Sequence, residues 1–158
     1  METVKYKSGG EIRIPENFRQ NEQEQDKNIK VYTFLAKEYG YKYKLLSVKN
    51  QHGVKNPDAL NLISNKFSDA KIPITENGKN AAQNSIKEAS RQLVSEVFIY
   101  TEIQYKMYDM WLGIKAALQG DRAKEIKTII IRMHSGEVKV YDVDKLRKVF
   151  NKSKGKTT

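Results

Sequence analysis

The stretch KNPDALNLISNKFSDAKIP, residues 55–73, decides how this chain is read. "DALNLIS" and "KFSDAKI" are two short apolar-containing runs joined near Ser64 and Asn65, a pattern that predicts a β-hairpin. Asp58 opens the first strand. Asp69 and Lys71 stand two apart in the second, so they share a face, with Phe67 beside them. Such a hairpin has two readings. The first is a surface hairpin with charged edges. The second is a phosphodiesterase site, because hydrolysis of a phosphodiester needs an activated water and a stabilised anion. Two carboxylates hold Mg²⁺ or Mn²⁺, the metal polarises the phosphoryl oxygen, and a lysine orients the water or offsets developing charge.

The flanking segments build an α+β chain around the hairpin. "NEQEQDKNIKVYTFLAKEYG" predicts a helix, with Ile29, Tyr32, Leu35, Ala36 and Tyr39 at helical spacing, acids in its first turn and Gly40 as its stop. "YKYKLL" alternates as a half-buried strand. "AAQNSIKEASRQL" is a second helix with an apolar stripe of Ala82, Ile86, Ala89 and Leu93. "EVFIYT" is a continuous apolar run, as in a strand covered on both faces. A third helix over "IQYKMYDMWLGIKAALQG" directs Ile103, Met107, Met110, Trp111, Ile114 and Leu118 inward. A hairpin of "KTIIIRM" and "VKVYD" and a helix "DVDKLRKVF", capped by Asp142, close the chain. Residues 1–20 read as irregular apart from a short strand, "EIRIP", that Pro15 ends. The expected core order is αβββαβ in a central mixed sheet, followed by helix, hairpin and helix. It forms one domain over residues 1–150, with its core at about 20–101, an extension at 102–150, and a basic flexible tail at 151–158.

Composition limits the function. Twenty-nine Lys and Arg against 19 Asp and Glu give a net charge of +10, which favours polyanionic partners. The chain holds no cysteine, which removes disulfides, thiolate metal sites and cysteine nucleophiles and suits a reducing compartment. No apolar run is long enough for a membrane span, and "METVKYKSGG" has no signal-like apolar region, so a cytoplasmic place of action is expected. The tail that carries Lys152, Lys154 and Lys156 is either a solvated end or a phosphate-tracking one.

Helix and strand before the Pro-Asp, and helix and strand after the Asp-x-Lys, reproduce the element order of the nucleases named for a PD-(D/E)xK motif. The chain more widely resembles the C-terminal nuclease domains of contact-dependent growth inhibition toxins and related phage and mobile-element proteins. The likeness is carried by Asn21-Glu22, Gly40-Tyr41, Asn56-Pro57-Asp58, Asp69 with Lys71, and Ala89 with Gln92, over roughly residues 20–101. The resemblance implies an endonuclease that cleaves DNA or tRNA and is met by a cognate immunity protein. Toxin domains of this look are divided between the metal-dependent fold and the metal-independent ribonuclease fold shared by barnase and colicin RNases. In the second, Asp58 and Asp69 are structural, and the chemistry falls to Lys71, Ser85, Arg91 or Gln92, with the RNA 2′-hydroxyl as the nucleophile.

The expected site follows. Asp58, Asp69, Lys71 and Gln92 form the catalytic set, although Gln92 fits a purely internal hydrogen bond equally well. Asp58 and Asp69, with Glu22 from the first helix, are the candidate metal ligands; Glu22 and its neighbour Glu24 also suit the helix dipole. Lys55, Lys87 and Arg91 are the cations expected at nucleic-acid phosphates. His52 and His134 read as surface loop residues rather than bases. A non-catalytic nucleic-acid-binding protein and a structural adaptor are the rival functions.

Overall fold

The computed structural model describes residues 1–16, 18, 22–47 and 56–155, with Glu22 and residues 153–155 as backbone alone. Among these, eight strands and four helices form an α+β fold with mixed strand pairing. The chain folds as two compact units, Met1–Ala70 and Lys71–Thr158.

The first unit holds β1 (Glu2–Lys5), β2 (Glu11–Ile14), α1 (Glu22–Tyr39), β3 (Lys42–Leu45), β4 (Ala59–Asn61) and most of β5 (Lys66–Lys71). β1 and β2 form an antiparallel hairpin, β2 and β3 run parallel, and β3–β4–β5 continue antiparallel. The parallel step requires a crossover, which α1 supplies. Its buried face, Val31, Tyr32, Leu35 and Ala36, covers Ile12, Tyr43 and Leu45, and the Tyr32 and Tyr43 rings lie 4.6 Å apart. Gly10 permits this packing, because a Cβ there would meet the Ala36 carbonyl oxygen at 1.8 Å. Gly40, at φ +77°, ends the helix in the left-handed conformation that glycine adopts without strain.

The predicted hairpin is present. Ala59 pairs with Ser68, Leu60 with Phe67 and Asn61 with Lys66. Asn61 Oδ1 accepts from the amides of Ile63 and Ser64, and Asn65 turns the chain at φ +61°.

The second unit holds α2 (Gly78–Arg91), β6 (Glu96–Tyr100), α3 (Met107–Ala117), β7 (Thr128–Arg132), β8 (Val138–Asp142) and α4 (Val143–Gly155). β6 and β7 are parallel across α3, and β7 and β8 are antiparallel. β6 is buried along its whole length, as its unbroken apolar run predicted. Ala81, Ala82, Ile86 and Ala89 of α2 share a core with Met110 and Ile114 of α3 and with the strands beneath. Gly113 lets the two helices approach: a Cβ there would stand 2.2 Å from the Lys79 carbonyl oxygen. Asn77 caps α2 by accepting from the Asn80 amide, and Asp142 caps α4 by accepting from the Lys145 amide.

Five expectations need correction. Residues 2–5 form β1, paired with the expected Glu11–Ile14 strand, where an irregular lead was expected. Tyr39, read as part of the α1 stripe, is 46% exposed, because the stripe turns away from the core over the last turn. α2 begins three residues before Ala81, and Leu93, read onto its stripe, is 59% exposed beyond the helix end at φ +59°. α3 begins at Met107 rather than Ile103. α4 runs through Gly155, five residues beyond the expected helix end at Phe150.

Candidate functional site

The alternation of β5 puts Phe67, Asp69 and Lys71 on one side of the strand and Ser68 and Ala70 on the other. α1 covers the second side, where the Tyr32 hydroxyl and Ser68 Oγ lie 2.9 Å apart. Asp69 is buried, while Phe67 is half exposed.

Asp58 sits one residue before Ala59, the partner of Ser68, at the point where the β4–β5 ladder ends. Its backbone is tied on both sides, donating to the Ser68 carbonyl and accepting from the Leu46 amide. Its carboxylate replaces the backbone acceptor that β4 no longer offers: Oδ2 accepts from the Ala70 amide at 2.9 Å. Lys27, reaching down from α1, completes this end of the ladder. Its Nζ donates to the Ala70 carbonyl at 3.0 Å and to Glu24 Oε1 at 3.2 Å, and it stands 3.6 Å from Asp58 Oδ2. Both backbone polar groups of the buried residue Ala70 are thus satisfied by side chains, as burial demands. The second oxygen of Asp58 makes no hydrogen bond among the described residues.

In the second unit Lys71 Nζ lies 3.7 Å from Glu88 Oε2 on α2. Both line a cavity of about 250 Å³ with the 72–75 segment, Asn84 and Ser85. Tyr105 holds the wall of this cavity by donating its hydroxyl to the Thr75 carbonyl, and burial raises its pKa above the ordinary tyrosine value.

Other expected residues fall elsewhere. Gln92 is the C-cap of α2, where its backbone amide donates to Ala89. Ser85 Oγ donates to the Ala81 carbonyl inside its own helix. Lys87 and Arg91 are exposed and line a separate cleft of about 430 Å³. His134 is exposed in the turn before β8. Glu22 begins α1 with its side chain undescribed; Asn21, His52 and Lys55 lie outside the described residues. Among the described residues no three His, Cys, Asp or Glu side chains come close enough to hold a metal together. Sequence reasoning missed Lys27 and Glu88. Lys27 carried one signal, its place three residues after Glu24 on a helix face.

The fold is an α+β sheet whose β4–β5 hairpin carries two carboxylates and a lysine in the Asp, Asp-x-Lys order. It is similar to that of a solved structure, the "CdiA-CT/CdiI toxin and immunity complex from Burkholderia pseudomallei". The match has a TM-score of 0.55 and 15% identity, and covers 76% of this chain and 85% of that one. At that identity the likeness is one of fold. No family model matches the chain, and no curated protein matches it. Among the described residues no helix is long and apolar enough to cross a membrane.

Proposed function

We propose that this protein is a toxin domain of the contact-dependent inhibition type, an endonuclease that hydrolyses DNA or tRNA in the target-cell cytoplasm and is neutralised by a cognate immunity protein. The observation that carries the reading is the β4–β5 hairpin. Asp58 stands where its ladder ends and accepts from the Ala70 amide, and Asp69 and Lys71 flank Ala70 on β5. The fold likeness to a toxin and immunity complex supports the biological setting.

Asp58 and Asp69 are the residues that would hold Mg²⁺ or Mn²⁺, with Glu22 as a further ligand from α1. The donor set fits the ion. Mg²⁺ is held through one or two carboxylates and keeps several waters, and Asp58 retains an oxygen without a described partner. The ion supplies the positive charge that polarises a phosphoryl oxygen and makes water nucleophilic near neutral pH. The protein's own groups do the rest. The Ala70 amide and Lys27 fix the Asp58 carboxylate in one orientation. Burial limits bulk water around Asp69. Lys71 brings an ammonium to the charge that develops on the phosphate, and Glu88 steadies that ammonium. Gln92 is the weakest member of the set, since its described role is to close a helix.

A second reading rests on the Lys71–Glu88 pair in its cavity. Glu88 is a carboxylate able to take a proton from an RNA 2′-hydroxyl, with Lys71 stabilising the phosphate and no metal involved. The test is a divalent-metal titration of cleavage on DNA and RNA oligonucleotides. Cleavage that requires the ion supports the first reading, RNA-only cleavage in EDTA supports the second, and failure to cleave either polymer overturns both.

A further inference from the structure

The cleft that holds Lys87 and Arg91 is larger than those two residues imply. It has a volume of about 430 Å³ and is lined by Gln83, Lys87, Ser90 and Arg91 of α2, by Ala116 and Ala117 of α3, and by Arg122 and Ala123 just beyond. Gln83, Lys87 and Arg91 follow at intervals of four, so one face of α2 forms one wall. The facing wall is alanine, which leaves room for a chain to approach the cations. No lining residue is acidic. Among the described residues no carboxylate lies in ion-pair range of Lys87, Arg91 or Arg122.

Two features make this more than scattered surface charge. Lys87 and Arg91 are like charges four residues apart on a helix, an arrangement that repels unless an anion lies between them. Arg122 is held in place from behind. Arg147 of α4 donates to the carbonyls of Leu118, Gly120 and Arg122, at 2.7, 3.0 and 2.7 Å, and so fixes the segment that carries Arg122. Ala123 adopts φ +52°, a conformation that alanine resists, and turns the chain immediately after Arg122. The Ile126 amide, donating to the Ala123 carbonyl, secures that turn.

We infer that this cleft is a polynucleotide-backbone subsite, in which Lys87, Arg91 and Arg122 bind successive phosphates and Gln83 and Ser90 donate hydrogen bonds to them. It rests on the nuclease reading for its biological sense, but it is a separate set of residues from the β4–β5 hairpin. Its sequence tolerance follows from its chemistry, since phosphate contacts position a nucleic acid and do not read its bases.

The test measures binding without cleavage. A fluorescent single-stranded DNA oligonucleotide in EDTA is resistant to both proposed chemistries, because the ion is withheld and there is no 2′-hydroxyl. Its affinity is followed over a range of NaCl concentrations. The triple variant Lys87→Gln, Arg91→Gln, Arg122→Gln should lower the log–log salt slope by about two, at roughly 0.7 per cation for a single strand. Should the triple variant fail to fold, Arg122→Gln alone should lower it by about 0.7. Sodium phosphate at matched ionic strength should displace the oligonucleotide no better than chloride. An unchanged slope overturns the inference and leaves an acidic protein surface as the occupant. Phosphate-specific displacement also overturns it, in favour of a small-anion site. The outcome is independent of the hairpin chemistry: Asp69→Asn should keep the full slope while losing cleavage. An unchanged slope beside intact metal-dependent cleavage would remove the cleft and spare the nuclease reading.

Discussion

An Asp58→Ala variant takes away the acceptor of the Ala70 amide, in a residue with no solvent exposure. An unsatisfied buried amide costs about 1–3 kcal/mol. Lys27 also loses a partner at 3.6 Å, but it keeps Glu24 and the Ala70 carbonyl, so that loss adds only about 0.5 kcal/mol. The expected destabilisation is about 1.5–3.5 kcal/mol, or a fall in Tm of roughly 3–14 °C for a chain of this size. Asp58→Asn differs in one respect. Its amide oxygen still accepts from Ala70, so it should lose only about 0.5–1 kcal/mol, or roughly 2–3 °C. Yet it lacks the negative charge a metal needs, so cleavage should fall about 10²-fold or more in both variants. Thermal unfolding by circular dichroism, paired with a cleavage assay well below both midpoints, reads the two effects separately. Equal destabilisation by Ala and Asn would refute the capping argument. A fully active, stable Asp58→Asn would refute the ligand role.

Glu88→Gln should reduce metal-dependent cleavage only a few-fold and abolish any cleavage of RNA in EDTA; the ratio of the two rates, measured on one RNA, checks this. Gly113→Ala should force α2 and α3 apart against the Lys79 carbonyl and destabilise the protein by at least about 1–3 kcal/mol in urea unfolding. Glu11 is held below the ordinary carboxylate value, first by a hydrogen bond from Arg13 at 2.6 Å. Its contribution to stability is therefore complete above its unfolded value and disappears as pH falls through the lower folded one. Glu11→Gln should flatten the acid limb of the stability–pH curve, and an unchanged limb would show that the pair contributes nothing.

The hairpin, α2 and β6 were legible in the sequence because each has a strong local signal: turn residues between short strands, a helical stripe, an unbroken apolar run. β1 was not, because it is a short edge strand with three exposed residues and no inward face to make it alternate. Helix ends were misplaced where a cap, rather than the apolar stripe, sets the boundary, as Asn77 does for α2. The order of Asp58, Asp69 and Lys71 was legible, and so was the hairpin turn near Asn65 that lies between the two aspartates. Their surroundings were not. Lys27 meets Ala70 across 43 residues of chain, and Arg147 meets Leu118 across 29. Such contacts are set by how the elements pack, not by local spacing. Arg122 had no periodic neighbour to mark it as the third cation of a cleft.

The most direct measurement of the central claim compares the unmodified protein with Asp69→Asn, cleaving one DNA and one RNA oligonucleotide in EDTA and then in excess Mg²⁺ or Mn²⁺. Metal-dependent hydrolysis at the hairpin predicts no cleavage by either protein in EDTA. It also predicts that added metal restores cleavage to the unmodified protein, while Asp69→Asn remains lower by on the order of 10²-fold or more. Cleavage that persists in EDTA, and that Asp69→Asn retains in full, would contradict it.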